Sequence, residues 1–543
     1  MLILAAAAFA AGLLVATQPG RDERHLVQTY VVDWEHNRVG AMYALLDAVS
    51  RSSTSESAFA SELSTAAQTA TLRALHVLRV GSPHGSSIAV SMRVVTRLWG
   101  TLHETLLVPF SSSGSQARIR LSSALLFPGL RSGETLTRTT VLPVRATLLA
   151  SDGTPLAQGA KRTSPDPAVA GQIVGSLGPI PAGSGASYVA AGYPHNAQVG
   201  QDGLELVFQN RLVGRIGGTL LAGGRVLARA EPVQAPAVRT TISPSLEQAA
   251  INAMGGSYAG IVAIDPRTGA LLAASGIGYS DPQPPGSTMK IITSVAALQA
   301  GLVKLSTVFP YSTSATLSGY TMNNAGGESC GGTLLNSFAV SCNSVFAPLG
   351  ATVGGARLVK AAERFGFNQP TGITGAAEST IPSASQIGDA LAVGSSAIGQ
   401  GLVQATPLEM AVTAATIAMG GRRPIPTLLA GARPHLVRAT SAKVAHEVQQ
   451  MMIAVVQYGT GTSAQISGVQ VAGKTGTAEV RNSTGAPNSA KANNPKNTDA
   501  WFVGYAPVGH PRIAVAALFP NQGYGAGIAA PAVRDVIQAA LSG

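Results

Sequence analysis

The stretch PPGSTMKIITSVAAL (284–298) is the most informative part of this 543-residue chain. Two prolines and a glycine interrupt the preceding chain, so Ser287 is predicted to stand at or near the N-terminus of a helix. Lys290 follows three residues later and lies on the same helix face, one turn away. A serine hydroxyl becomes a nucleophile when a base takes its proton, and a lysine desolvated in a cleft can be that base. Alone, this short pattern is also compatible with coincidence.

Lysine is scarce in this chain, which makes each lysine worth examining. Eight of the 37 Lys and Arg residues are lysine. Lysine can release its proton at a moderate cost and act as a base, whereas the guanidinium of arginine stays charged. Lys290 is therefore a candidate base for Ser287.

A second pattern, SFAVSCNSVFAPLG (337–350), carries Ser341 and Asn343. The hydroxyl and the amide lie on a predicted loop that enters an apolar run, so they could face one cleft. There the hydroxyl could pass a proton and the amide could hold a substrate carbonyl. A simple helix cap is the alternative explanation.

A third pattern, VQVAGKTGTAEV (469–480), places Lys474, Thr475, Gly476 and Thr477 inside a predicted β-strand. A glycine in a strand interior often marks the close approach of a ligand or of another backbone. Lys474 and Thr475 would offer a positive charge and a hydroxyl to a substrate carboxylate. The alternative is a glycine bulge with an exposed lysine.

Ser-x-x-Lys, Ser-x-Asn and Lys-Thr-Gly occur here in the order shared by penicillin-binding proteins and serine β-lactamases, and the chain resembles that superfamily. The segment IGQGLVQATPLEMAVTAATIAMGG (398–421) is similar to class B penicillin-binding proteins, the monofunctional D,D-transpeptidases of cell-wall synthesis. Its helix is predicted to have Thr406 as N-cap and Pro407 at the first position, with Glu409 closing a capping box.

A further segment, DAWFVGYAP (499–507), resembles the family strand that follows the Lys-Thr-Gly strand. Asp499 stands where many members of the family carry His. This departure puts one local contact in doubt and leaves the resemblance intact.

The resemblance implies a multidomain fold. Residues 240–543 are expected to form an α/β (α+β) penicillin-binding/serine β-lactamase-like transpeptidase domain, with a central antiparallel sheet flanked by helices. A β-rich pedestal of the penicillin-binding protein dimerisation type is expected over 117–238, where the segment 200–218 keeps the family's Gly-Leu-Glu core. Residues 22–115 resemble a small α+β NTF2-like domain, and SSSGSQ (111–116) is predicted to be the linker after it.

An uncharged and almost wholly apolar run covers residues 2–16. It is shorter than the roughly 20 residues that span a bilayer as a helix, and no Lys or Arg precedes it. Residues 1–17 are predicted to be a membrane anchor or signal anchor, and a buried core helix is the alternative. We therefore expect the protein at the cell membrane, with its catalytic domain on the extracytoplasmic face.

The composition narrows the classes of partner. The net charge is +11, but the excess is not gathered into a Lys/Arg-rich run, and neither zinc-finger spacing nor an RNP-like aromatic string occurs. Nucleic acid is therefore not an expected partner. The nine histidines show no ligand spacing, so neither a metal nor another cofactor is expected.

The resemblance also implies roles in acyl transfer at the D-Ala–D-Ala end of peptidoglycan stem peptides. Ser287 would be the nucleophile and Lys290 its base. Ser341 would relay the proton to the departing D-Ala, and Asn343 would hold the donor backbone.

The third motif would bind the substrate through Lys474, Thr475, Gly476 and Thr477, with the terminal carboxylate as the main target. The backbone N–H groups of Ser287 and Thr477 would form the oxyanion hole. β-Lactams would acylate Ser287 as covalent inhibitors. A membrane-embedded SEDS-type glycan polymerase is a candidate partner.

Two cysteines, Cys330 and Cys342, form an isolated pair twelve residues apart. In a chain that is predicted to be exported, such a pair favours a disulfide. Two buried free thiols are the alternative.

Two other functions compete with transpeptidation. In a D,D-carboxypeptidase, water replaces the acceptor amine. A non-catalytic β-lactam sensor or wall-assembly scaffold should carry more membrane spans or an effector domain, and neither is visible. The Glu-x-x-Leu-Asn motif of class A β-lactamases is missing, so a long-lived acyl-enzyme is expected.

Overall fold

The structure is a computed structural model that describes residues 20–113, 116–479 and 497–542. The predicted anchor at residues 1–17 lies outside the described residues. Among those that are described, no helix is both long and apolar enough to cross a bilayer. The chain divides into two compact units.

The first unit comprises the described residues up to Ala146, Leu177–Val199 and Asn210–Pro236. It begins with four helices and continues with an antiparallel four-stranded sheet. Burial alternates along strand Ser87–Thr96, which gives the sheet one apolar face. The helices are Arg21–Glu35, Val39–Ala44, Ala48–Ser53 and Glu56–Thr69, and the strands are Leu72–His84, Ser87–Thr96, Thr101–Ser113 and Gln116–Ile119.

The prediction of a linker at 111–116 is wrong. Phe110 pairs with Ile119 and Ser113 with Gln116, so the strands on either side of this segment form one antiparallel ladder. A run of Ser and Gly fits a hairpin as well as a linker, and strand pairing decides between them. The predicted boundary after residue 115 therefore cuts through a sheet. The NTF2-like assignment of 22–115 stays a prediction.

The predicted pedestal, 117–238, does not form a compact unit of its own. Its residues 147–176 and 200–209 belong to the second unit, and most of the rest belongs to the first. Its described elements are Leu136–Val141, Leu148–Leu149, Pro155–Ala157, Pro167–Ile173, Leu177–Pro179, Gly185–Ala190, Gln198–Gly200, Gly203–Val207, Gln209–Leu212, Gly217–Ala222 and Arg225–Ala230, with a 3-10 turn at Ser123–Leu125.

The second unit is built on a five-stranded antiparallel sheet. Its strands, in chain order, are β1 (Gly260–Ile264), β2 (Leu271–Gly276), β3 (Ala472–Glu479), β4 (Thr498–Ala506) and β5 (Ile513–Phe519). Their order across the sheet is β2-β1-β5-β4-β3, so β3, with the Lys-Thr-Gly motif, is an edge strand.

Helices flank this sheet. In chain order they are α1 (Pro244–Met254), α2 (Lys290–Gln299), α3 (Leu334–Ala339), α4 (Asn343–Val353), α5 (Pro407–Ala418), α6 (Ala442–Gln457) and α7 (Ala529–Ser542). Alternate β5 residues pack in one core with α1 and α7, while α5 also contacts β5. Every β5 residue is buried, as expected for a strand covered on both faces.

The remaining described elements of the second unit lie around the sheet. They are Val238–Arg239, Val308–Ser312, Ser314–Leu317, Tyr320–Asn323, Cys330–Thr333, Gly355–Phe365, Ala390–Ala397, Arg422–Pro424 and Leu436–Arg438, with 3-10 turns at Gly286–Met289, Ala325–Gly327 and Thr462–Ala464.

The start of α5 differs in one detail from the sequence prediction. Thr406 is the N-cap and accepts a hydrogen bond from Glu409 N–H, and Pro407 occupies the first turn. The Glu409 carboxyl does not close the capping box, because Thr406 N–H donates to the Ser379 hydroxyl instead. Glu409 is buried, and burial raises the pKa of its carboxyl to about 7 although Arg423 acts in the opposite direction.

Candidate active site

Ser287 lies on a 3-10 turn, Gly286–Met289, that leads directly into α2. The turn is held from both sides: Gly286 N–H donates to Gly399 O at 2.9 Å, and the Thr288 hydroxyl donates to Pro285 O at 2.7 Å. Ser287 itself is half-buried, whereas the other residues of the turn are buried. The α-helix starts at Lys290, which places Ser287 just before it as the sequence predicts.

The Ser287 turn packs directly against the edge strand β3, and two glycines allow this approach. Gly286 has φ +53°, and a Cβ there would come within 2.8 Å of Thr477 O. A Cβ on Gly476 would come within 2.8 Å of Pro285 O. The strained conformation and the lack of space both require glycine at 286. The first and third motifs are therefore adjacent, with half-buried Thr477 beside Ser287.

Lys290 connects the first motif to the second. Its Nζ donates to Ser341 O and to Asn343 Oδ1, both at 2.7 Å, and lies 3.2 Å from Ser341 Oγ. The side chain is completely buried. The described hydrogen bonds of Lys290 thus go to Ser341 and Asn343 and not to Ser287, which the sequence had made its main partner.

Lys474 reaches the same serine from the third motif. Its Nζ donates to Ser341 Oγ at 2.9 Å and to Thr475 O at 2.9 Å. Ser341 Oγ therefore lies between two lysine nitrogens. This hydroxyl is the point at which the three motifs meet.

Burial controls the charge of both lysines. Desolvation, with a further contribution from Lys474, holds the pKa of Lys290 well below its usual value. Desolvation lowers the pKa of Lys474 to about 7. No ion pair to a carboxylate is found for either lysine among the described residues, and the charge that acts on Lys290 is that of Lys474. A neutral amine is therefore within reach at physiological pH.

Aromatic rings line the same cluster. Lys290 Nζ lies 5.5 Å from the centroid of the Phe346 ring, and Lys474 Nζ lies 5.6 Å from that of Phe338. These rings offer weak cation–π stabilisation to the charged form of each lysine.

The segment that carries Ser341 and Asn343 is strained and fixed. Ser341 has φ +63°, a left-handed conformation that is uncommon for a residue with a side chain. Cys330 and Cys342 are joined by a disulfide with their Cα atoms 5.8 Å apart. Asn343 begins α4, and its Nδ2 donates to Asn323 O at 3.1 Å. This conformation turns both the carbonyl and the hydroxyl of Ser341 toward Lys290.

Thr460 belongs to the site although the sequence analysis missed it. Its Oγ1 lies 2.5 Å from Thr475 Oγ1, and its N–H donates to Ala339 O at 3.0 Å. Thr460 follows the end of α6 between two glycines, so its local pattern is that of a helix terminus. The contacts that bring Thr460 to the site are tertiary, and no residue spacing in the sequence predicts them.

Asp499 lies on β4 opposite Ala478. It is fully buried, its Oδ1 accepts a hydrogen bond from Asn521 N–H at 2.9 Å, and its Oδ2 has no partner. Burial, reinforced by Asp281, raises the pKa of this carboxyl to about 6. The neutral form of this acid therefore persists to a higher pH than in an exposed aspartate, at the position where many members of the family carry His.

Comparisons with known proteins agree with this geometry. A family model described as the penicillin binding protein transpeptidase domain matches residues 259–538, and one described as the penicillin-binding protein dimerisation domain matches residues 110–233. The chain is 36% identical over 375 residues to the peptidoglycan D,D-transpeptidase PbpA of Mycolicibacterium smegmatis, covering 56% of this chain and 72% of PbpA.

Solved structures show the same likeness. The ceftriaxone acyl-enzyme of penicillin-binding protein A from M. tuberculosis is 27% identical and matches with a TM-score of 0.58, covering 73% of this chain and 98% of that one. The D,D-transpeptidase domain of a peptidoglycan glycosyltransferase from Eggerthella lenta is 26% identical with a TM-score of 0.59, covering 74% of this chain and 98% of that one.

Proposed function

This chain belongs to the penicillin-binding protein transpeptidase family, and from that premise we propose how its three motifs perform the reaction. It is a class B penicillin-binding protein, a serine-type peptidoglycan D,D-transpeptidase and a target of β-lactams. The observation that carries the residue assignment is the Ser341 hydroxyl, which lies within hydrogen-bonding distance of both buried lysines.

In the proposed first step, Ser287 Oγ attacks the carbonyl carbon of the D-Ala–D-Ala bond, and neutral Lys290 receives the hydroxyl proton. Lys290 suits this role because burial beside Lys474 disfavours its charged form. The developing oxyanion is bound by the backbone N–H groups of Ser287 and Thr477, whose residues lie side by side.

In the second step, the C–N bond breaks and the terminal D-Ala leaves as an amine. Its nitrogen needs a proton, which passes from Lys290 through the Ser341 hydroxyl, 3.2 Å from Lys290 Nζ. Asn343 holds the backbone of the donor peptide while its Oδ1 keeps Lys290 in place. An amine of a second stem peptide then attacks the carbonyl carbon of the Ser287 ester and forms the amide of the crosslink. The bond from that carbon to Ser287 Oγ breaks, and the proton lost by the amine returns to Ser287 Oγ through Lys290.

The carboxylate of the departing D-Ala is bound by Lys474, Thr475 and Thr477, with Gly476 allowing close approach. Since the pKa of Lys474 is lowered to about 7, the free enzyme holds this lysine partly neutral. A bound carboxylate favours the ammonium form, so the anionic substrate selects the protonated state that binds it best. β-Lactams present an equivalent carboxylate.

We also propose that the protein works at the outer face of the membrane, held by residues 1–17, and that it acts beside a membrane-embedded SEDS-type polymerase. The apolar run at 2–16 and the disulfide Cys330–Cys342, which is typical of an oxidising compartment, support the location. Co-purification of a polymerase with the full chain from crosslinked membranes tests the partner, and recovery with a chain lacking residues 1–17 as well would contradict an interaction within the membrane.

The experiment that tests the reaction incubates the purified protein with stem pentapeptides and analyses the products by mass spectrometry. We expect crosslinked dimers that have lost one D-Ala, none with Ser287→Ala, and normal yields with the exposed control Ser280→Ala. A β-lactam adduct on Ser287 should persist for many minutes after free drug is removed. Tetrapeptide without dimers would indicate a carboxypeptidase, and labelled Ser287→Ala would refute the nucleophile.

A further inference from the structure

Thr460 lies where the second and third motifs approach each other. The loop that follows α6 carries it between Gly459 and Gly461. A Cβ on Gly459 would collide with the backbone of Ala339, and a Cβ on Gly461 would come within 2.9 Å of Val455. Gly459 thus lets this loop approach the segment before Ser341, and Gly461 lets it pack closely against α6 and β4. Thr460 lies between them and contacts Thr475 of β3.

The hydroxyl of Thr475 has two neighbours that can donate a hydrogen bond. Thr460 Oγ1 is 2.5 Å away, and Lys474 Nζ is 3.4 Å away. A hydroxyl has one proton, so Thr475 can donate to a substrate carboxylate only if it accepts from Thr460. In the opposite arrangement its proton points at Thr460, and its lone pairs would face an anion.

The surroundings of Thr460 favour the donating arrangement. Its other acceptor, Ala339 O, is 3.5 Å from the hydroxyl and already accepts the N–H of Thr460 at 3.0 Å. Thr475 Oγ1, at 2.5 Å, is therefore the closer of the two acceptors. A hydroxyl that accepts a short hydrogen bond becomes a stronger donor, because polarisation runs along a chain of hydrogen bonds.

We propose that Thr460 is a positioning residue that turns the proton of Thr475 toward the terminal carboxylate of the donor substrate. This inference rests on the proposed function of Thr475 as a carboxylate ligand. Thr460 acts through Thr475 and does not touch the reacting atoms. Its effect should therefore depend on whether the substrate carries a carboxylate, which a purely structural effect would not.

The test measures the second-order rate constant of acylation by intact mass, using benzylpenicillin and its methyl ester on the full chain. Thr460→Val keeps the side-chain shape and removes the hydroxyl, whereas Thr460→Ser keeps the hydroxyl. We expect Thr460→Val to acylate about tenfold more slowly with the free acid and to change less than about twofold with the ester. Thr460→Ser and the exposed control Thr462→Val should remain within about twofold of the parent for both compounds.

Thr475→Val separates this inference from the proposed function. Thr475→Val is expected to slow acylation by the free acid and not by the ester. If it does so while Thr460→Val slows neither compound, or slows both equally, the role of Thr460 is refuted. The assignment of Thr475 as a carboxylate ligand then stands. If Thr475→Val itself shows no selectivity, the assignment of Thr475 falls and the inference falls with it. Selective loss in both variants, with recovery in Thr460→Ser, supports the inference.

Discussion

The second unit contains two buried charge clusters that are built in opposite ways. Arg162 and Glu205 form an ion pair, Nε to Oε1 at 2.6 Å, with side chains 10% and 1% exposed. Lys290 and Lys474 are both completely buried, and the charge that acts on Lys290 is that of Lys474. An opposite charge cancels a buried charge and serves stability, whereas a like charge destabilises the charged form and supplies a reactive neutral group. The comparison predicts that stability and chemistry can be separated by mutation.

The largest effect is expected for Lys290. Lys290→Met should lower the acylation rate about a thousandfold, because the base for Ser287 is lost. Its unfolding free energy should change by less than about 1.5 kcal/mol, since relief of a desolvated charge offsets the lost hydrogen bonds. Lys290→Arg should be similarly inactive because its guanidinium stays charged.

Labelling with a fluorescent penicillin and thermal unfolding of each variant check this expectation, with the exposed Lys443→Met as control. An active Lys290→Arg enzyme would place the base elsewhere. A large loss of stability in Lys290→Met would show that the lysine cluster also serves the fold.

The opposite result is expected for the ion pair. Glu205→Gln removes the negative charge that faces Arg162 and should lower the unfolding free energy by about 3 kcal/mol, since this buried ion pair loses one of its two charges. The acylation rate of the folded protein should stay within about twofold of the parent. Denaturant titration and active-site titration measure the two quantities separately.

The exposed residue Glu378 provides the control, as Glu378→Gln should be neutral in both assays. If Glu205→Gln were as stable as the control but acylated slowly, the pair would have a catalytic role and the comparison would be wrong.

The sequence predicts which residues form the lysine cluster better than it predicts the contacts between them. Pro284-Pro285-Gly286 marks the start of the Ser287 helix locally, and family motifs supply the lysines. The contacts within the site depend on packing between different elements of the fold. Lys290 bonds to Ser341 and Asn343 in this way, and Thr460 bonds to Thr475. The hydrophobic periodicity of one segment does not predict contacts between segments.

Two errors in the predicted fold have different causes. Residues 111–116 have the composition of a linker, and only the pairing of Phe110 with Ile119 reveals a hairpin. Glu409 has the spacing of a capping box, yet the Ser379 hydroxyl takes the N–H that the carboxyl would have bonded. The first error arises because linkers and hairpin turns share one composition, and the second because a tertiary partner outcompetes a local one.

A third prediction concerns the pH dependence of acylation by a carboxylate-bearing β-lactam. Its rate should rise as the lysine pair releases the proton that frees Lys290, and should fall as pH increases through about 7, where Lys474 loses the charge that binds the carboxylate. Because the two lysines interact, the apparent pKa values of the rising and falling parts of the profile describe the pair and not either lysine alone. With a methyl ester, the falling limb should be lost.

Rates of adduct formation between about pH 5 and 9 measure this profile. A falling limb that persists with the ester would assign it to a group other than Lys474.

The smallest effect is expected at Asp499, a buried acid beside another acid, Asp281. Its folded pKa, about 6, lies above the unfolded value of about 3.9. The folded state therefore holds the proton more tightly, so this contribution to stability is complete below about pH 4 and is lost as pH rises to about 6. Asp499→Asn stays neutral throughout and should melt about 2 °C above the parent at pH 7, with no difference at pH 4.

Asp281→Asn should reduce the pH dependence of the parent, because Asp281 helps to raise the Asp499 pKa, and the exposed control Asp22→Asn should leave it unchanged. Equal melting of Asp499→Asn and the parent at both pH values would mean that the Asp499 carboxyl is solvated as a carboxylate in the folded protein, and that like-charge burial in this unit is confined to the two lysines.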